Sequence, residues 1–145
     1  SQARESGITA QFFGADGVDS PKLLEIAGES ANGIYITTPF IFGLEGNEEA
    51  ERVYAAFKQK FGKSPDTWAA LTYDAIGMIA EAIAKGGEKR KAIRDYLGNL
   101  TSPEKGYQGI TGLTYFDEHG DCLKPAYVKQ VTQGQFMPSS VQMLD

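Results

Sequence analysis

The pattern of hydrophobic and polar positions changes period along this chain, and each change marks an element. Residues 1–7, "SQARESG", place charged side chains around Ala3 and then a glycine, the pattern of a helix end closed by Gly7. A helix does not normally open at its own C-terminus, so we expect this stretch to continue from something longer. "ITAQFF" then predicts a short strand, residues 8–13, running into a turn that holds Gly14 and Gly17. "DSPKLLEIAG" predicts a helix with Asp19 or Ser20 as N-cap, Pro21 at its first position and Gly28 as its stop. "GIYITTPF" is β-branched and aromatic throughout and is closed by Pro39, the pattern of a buried strand in a parallel sheet. Strand, helix and strand in so few residues make a βαβ unit.

A helical period follows. From Asn47, residues Ala50, Val53, Tyr54, Phe57 and Phe61 fall on one stripe, and Gly62 ends it. A second helix has Ser64 as cap and Pro65 at its first position, with Trp68, Leu71, Ala75, Ile76, Ile79 and Ile83 as its apolar face and Gly86–Gly87 as its stop. A third gathers Ala92, Ile93, Tyr96, Leu97 and Leu100. The last third reverts to strands: residues 113–116, a polar turn at 117–121, residues 126–131, and a hairpin at "TQGQ" leading to Phe136. No internal repeat is visible. The order βαβ, three helices, then strands is an α/β arrangement that looks incomplete as one sheet.

Bulk numbers narrow the function classes. The chain has 145 residues, 41% hydrophobic and 23% charged, enough for an ordinary domain with a core. Its net charge is −5 and no Lys/Arg cluster stands out, which disfavours a nucleic-acid surface. Its apolar runs are too short for a transmembrane helix, and no signal-peptide pattern opens it. One cysteine, Cys122, leaves no internal disulfide or CxxC site, and one histidine, His119, leaves no His-based metal cluster. Cys122 reads as a small buried or half-buried residue.

Candidate chemistry is sparse. No nucleophile elbow, phosphate loop, dinucleotide fingerprint or zincin motif occurs, so no catalytic residue, metal site or cofactor is expected. "DEHGD", with His119 between Asp117 and Asp121, reads as turn chemistry and lacks the alternating ligands and closing Glu of a calcium loop. Asp16 has two readings. Ligands of open parallel sheets bind beyond the carboxyl ends of the strands, where Asp16 would lie between glycines that allow close backbone approach. Alternatively, it satisfies its own turn amides. Trp68, in the first turn of its helix, is either a core anchor or the wall of a pocket.

Three stretches go beyond generic patterning. "FFGADGVDSPKLLEIAGESANGIYITTPF", "YAAFKQKFGKSPDTWAALTYDAIGMIAEAIAKGG" and "YQGITGLTYFDEHGD" resemble, in order and spacing, the C-terminal part of the periplasmic leucine/isoleucine/valine-binding proteins. These are type I solute-binding receptors of branched-chain amino-acid ABC importers, and the likeness covers nearly the whole chain.

The resemblance implies a type I periplasmic-binding fold, two flavodoxin-like lobes joined by three crossings, with only its C-terminal portion present. It assigns residues 1–38 to the second lobe, 39–46 to a hinge crossing, 47–126 to the first lobe, and 127–145 to the return crossing and last strands of the second. It implies a non-enzymatic protein, periplasmic or extracellular and compatible with a lipid anchor. Such a protein captures an amino acid or related zwitterion between the lobes and delivers it to an ABC permease; a ligand-sensing domain of a regulator or receptor shares the fold. Asp16 takes the place of the acid that receives the ligand's α-ammonium, where the archetypal member has Glu. Trp68 falls where an aromatic lines the side-chain pocket and should narrow or reshape it. Ala15 and Gly17 flank the ligand through backbone, and Tyr73 is placed in packing. Family members are more than twice as long, and the groups that hold the α-carboxylate come from their N-terminal part. We therefore expect an N-terminal part, a second chain or a swapped dimer to complete the fold.

Overall fold

A computed structural model describes residues 1–44 and 46–142. In chain order its elements are α1 (Gln2–Glu5), β1 (Phe13–Gly14), α2 (Pro21–Ala27), β2 (Tyr35–Thr38), α3 (Glu48–Phe61), α4 (Thr67–Gly86), α5 (Arg90–Gly98), β3 (Tyr107–Gly109), β4 (Gly112–Thr114), β5 (Tyr127–Thr132) and β6 (Gln135–Pro138). They form two compact units. One is Ser1–Ile41 with the chain from Pro125 onward; the other is Phe42–Lys124.

The first unit is built on a four-stranded sheet of order β1-β2-β5-β6. β1 and β2 run parallel, as the βαβ reading requires, whereas β5 pairs antiparallel with both β2 and β6. The sheet is therefore mixed rather than parallel. β2 is not buried throughout: Ile36 and Thr38 are buried and Thr37 is exposed, the alternation of a strand with one covered face. β1 is much shorter than residues 8–13. Its partner β2 begins only at Tyr35, opposite Phe13, and the carbonyls of Ile8 and Ala10 accept instead from Arg4 Nη1 at 2.8 Å and 2.9 Å. Ser20, not Asp19, caps α2, accepting from Lys22 N at 3.3 Å. β5 and β6 meet in a two-residue turn, Gln133 and Gly134, both with positive φ. Ala31, Ile36, Val128 and Val131 form the core, each large side chain contributing about 1.5–3 kcal/mol by leaving water.

The second unit packs α4 against α5 and carries the β3–β4 hairpin. Asn47 caps α3, accepting from Ala50 N at 3.0 Å, and Gly62 closes it in the left-handed conformation. α4 starts later than the Ser64–Pro65 reading: Asp66 is the cap, accepting from Ala69 N at 2.9 Å, while the Ser64 hydroxyl pairs with Tyr54 at 2.7 Å. The larger difference is which face of α4 is covered. Thr67, Ala70, Asp74 and Ala82 are buried, and the expected apolar face is open, with Trp68 45% and Ile76 63% exposed. Small residues let neighbouring elements approach α4 closely. An alanine methyl at Gly77 would sit 2.1 Å from the Tyr107 hydroxyl. α5 half-buries the predicted side, Ala92, Ile93, Tyr96 and Leu97, and Leu100 just beyond its end is buried. Cys122 is exposed, contrary to expectation, because Phe116 and Cys122 pair only at the mouth of an exposed loop. Within that loop Asp117 Oδ1 accepts from the amides of His119 and Asp121, each at 2.9 Å, so the turn reading of "DEHGD" holds. Among the described residues no helix is long and apolar enough to cross a membrane, and no cluster of potential metal ligands occurs.

Candidate functional site

The chain leaves the carboxyl end of β1 at Gly14 and turns through Ala15, Asp16 and Gly17. Residues Asp16–Val18 form a single 3-10 turn, with Ala15 extended before it. Backbone bonds close the turn: Val18 N donates to Ala15 O at 3.1 Å and Asp19 N to Asp16 O at 2.9 Å. Val18 folds back over Gly14, where a Cβ would lie 2.5 Å from a Val18 methyl. The need for glycine at position 14 is thus met by packing within the turn, not by a ligand. Gly17 is different: its φ is not positive, and a Cβ there would meet nothing within 4 Å. No local contact explains its missing side chain.

Ala15, Asp16 and Gly17 are all exposed. Among the described residues, no hydrogen bond or ion pair reaches the Asp16 carboxylate. The Val18 and Asp19 amides are satisfied by backbone carbonyls, not by the Asp16 side chain. What remains is a solvent-facing carboxylate at the end of a strand.

The neighbouring acid, overlooked as more than a capping residue, is the buried one. Asp19 is 3% exposed and accepts from Thr38 Oγ1 at 2.8 Å and from Lys129 Nζ at 2.7 Å and 3.0 Å. Lys129 also lies 5.7 Å from the Phe136 ring centroid, a cation–π distance. An acid separated from its partner by 110 residues gives no local sequence signal.

The second unit hides a comparable group. Asp74, on α4, is 2% exposed and accepts from Ile110 N at 2.8 Å, Thr111 N at 2.8 Å and Thr111 Oγ1 at 2.5 Å. It holds the tight loop between β3 and β4. Gly109 is glycine because a Cβ there would lie 2.3 Å from the Asp74 carboxyl carbon, and Gly112 has φ of +90°. The "GITG" phrase is therefore a docking loop for a carboxylate within the fold. Lys124 Nζ reaches the same loop, donating to Thr111 Oγ1 at 2.9 Å, and burial lowers its pKa below the usual lysine value. Burial, with the Asp74 and Glu81 charges adding to it, raises the Tyr107 hydroxyl above its ordinary range.

Trp68 belongs to the second unit and follows the Asp66 cap by two positions. Its ring is not a core anchor among the described residues; Thr67 and Ala70 fill that role. Tyr73 is 48% exposed and edges a shallow hollow with Val53, Phe57 and Phe61. In the first unit a hollow of about 410 Å³ is lined by Phe13, Tyr35, Ile36, Thr37 and Val128 among others, and by none of Ala15, Asp16 and Gly17. Its amide, Gln11 Nε2, already donates to Gly33 O and Phe12 O. This hollow is an apolar sheet face, unsuited to a zwitterion.

A family model described as periplasmic binding protein matches residues 1–135. The chain is similar to the leucine-, isoleucine-, valine-, threonine- and alanine-binding protein of Pseudomonas aeruginosa, 28% identical over 133 residues that make up 85% of this chain and 35% of that protein. Among solved structures it is similar to a leucine-binding protein from Thermotoga maritima MSB8, with a TM-score of 0.84, 32% identity, and coverage of 97% of this chain and 39% of that one. It is also similar to a branched-chain amino acid transporter substrate-binding protein from Streptococcus pneumoniae, solved with isoleucine. There the TM-score is 0.84, the identity 30%, and the coverage 97% and 40%. The chain thus spans about a third of the first of these proteins and about two fifths of the other two. Both the expected resemblance and the type I fold class are borne out. The chain belongs to the periplasmic binding protein family.

Proposed function

We propose that this chain is part of an extracytoplasmic solute receptor that captures an amino acid, or a related small zwitterion, and passes it to an ABC importer. Asp16 receives the ligand's α-ammonium, Ala15 and Gly17 approach it through backbone, and Trp68 meets its side chain. The observation that carries this reading is the Asp16 carboxylate: held in a closed backbone turn, facing solvent, and without a side-chain partner among the described residues. The backbone that carries the carboxylate is ordered by the turn, and once water is excluded its charge-assisted bond to an ammonium group is strong. Gly17 supports the same reading, since space is kept open there without a contact or a backbone angle that demands glycine. The names of the relatives, which specify leucine, isoleucine and valine, support this ligand class. The apolar part of such ligands suits the exposed ring of Trp68.

Calorimetric titration of the full-length protein with L-leucine, L-isoleucine and 4-methylpentanoate, which is leucine without its amino group, tests the reading. The amino acids are expected to bind far more tightly than the des-amino acid. Asp16→Ala should remove at least roughly 100-fold of that preference, the scale of losing a desolvated charge partner. Equal binding of leucine by the two proteins would remove Asp16 from the site.

A further inference from the structure

The turn that carries Asp16 is short, exposed and joined to a two-residue edge strand, and nothing in such a turn is rigid by itself. Its rigidity comes from the next residue. Asp19 ends the turn, and its backbone N–H donates to the Asp16 carbonyl at 2.9 Å. Its buried carboxylate is fixed on one side by Thr38 Oγ1 at the end of β2 and on the other by Lys129 Nζ on β5. The Lys129 and Asp19 side chains are only 10% and 4% exposed. Three separated segments of the first unit, the turn, β2 and β5, are thus tied at one point.

A buried ion pair is a poor way to gain stability, since desolvation of both charges offsets most of their attraction. Its better-supported use is to fix one arrangement among several of similar energy. Here the arrangement fixed is the placement of the Asp16 turn against the sheet. Gly14 reinforces it from the other side, because only a glycine lets Val18 fold over the strand.

We infer that Asp19, held by Lys129 and Thr38, is the positioning residue for Asp16, and that this buried network sets affinity for the ammonium group of the ligand without touching it. The inference rests on the assignment of Asp16 above. It predicts that Asp19→Asn and Lys129→Gln weaken L-leucine binding by about tenfold, the scale of a charge-assisted hydrogen bond held out of line. Neither change should weaken 4-methylpentanoate comparably, since that ligand offers no ammonium.

The test is a set of titrations on the full-length protein: Asp16→Ala, Asp19→Asn, Lys129→Gln and the double variant Asp16→Ala/Asp19→Asn, each with both ligands. Amide hydrogen exchange is read alongside. The expected result is that Asp19→Asn adds nothing to the loss already caused by Asp16→Ala. Faster exchange should be confined to the Val18 and Asp19 amides, with the Val131 amide, which donates to Ile34 O at 2.9 Å, staying protected. Additive losses, or equal loss for the two ligands, would mean that Asp19 is merely structural and would overturn the inference. So would unchanged exchange at Val18 and Asp19. If either single variant fails to fold, Asp19→Asn/Lys129→Met, which removes both buried charges together, carries the same comparison. An Asp16→Ala protein that binds leucine normally is a different failure: it removes the ligand assignment itself, and the positioning role with it.

Discussion

Substituting Asp74 by asparagine probes the second unit at the point where sequence pattern and packing meet. The change is nearly isosteric, so no cavity opens. The carboxylate accepts three hydrogen bonds, from Ile110 N, Thr111 N and Thr111 Oγ1. An amide keeps one acceptor oxygen. If that oxygen stays on Ile110 N, the new NH2 group faces the Thr111 N–H, and a buried donor is left without an acceptor at a cost of about 1–3 kcal/mol. The Thr111 hydroxyl, which also accepts from Lys124 Nζ at 2.9 Å, no longer faces a carboxylate, and the bonds that remain lose their charge assistance, of order 1 kcal/mol in all. The sum is about 2–4 kcal/mol, a large share of the roughly 5–15 kcal/mol that holds an ordinary domain together. Urea denaturation followed by circular dichroism, compared at constant m, measures it. A loss below about 1 kcal/mol with m unchanged would refute the reasoning. It would mean that the loop between β3 and β4 does not depend on this carboxylate.

Two further outcomes are expected. Gly77→Ala should destabilise by about 1–3 kcal/mol by driving a methyl against the Tyr107 hydroxyl, and adding Tyr107→Phe should restore much of the loss, because the closest atom is that oxygen; thermal denaturation of the single and double variants measures the coupling, and independent effects would contradict the contact. Trp68→Ala should change which side chains bind more than whether zwitterions bind, so titration of leucine, isoleucine, valine and alanine should show unequal losses; equal losses across the panel would place the ring in packing instead.

Helices were the most legible part of the sequence. The helix start at Asn47, the first-position Pro21 and the stops at Gly62 and Gly28 are local signals, and the structure uses them as read. Strands were less so. β3 escaped notice because Tyr107–Gly109 is three residues long and its glycine is set by Asp74, far away in sequence. β1 is shorter than its pattern because its partner begins only at Tyr35, opposite Phe13, and period-two patterning does not register where a partner strand starts. The covered face of α4 was misassigned for a related reason. Hydrophobicity points to Ile76 and Ile79, whereas contact within the described chain goes to small residues and to Asp74. At the candidate site, Asp16 stood out through its position between glycines after a strand. Asp19 did not, because the residues that make it important, Thr38 and Lys129, lie on other strands.

The central claim is that the Asp16 carboxylate binds a positively charged nitrogen of the ligand. A crystal structure of the full-length protein with L-leucine or L-isoleucine tests it most directly. The account predicts an Asp16 oxygen about 2.7–2.9 Å from the α-ammonium nitrogen, the distance of a charge-assisted hydrogen bond. A bound amino acid whose ammonium is held by other groups, with the Asp16 carboxylate still in bulk water, would contradict it.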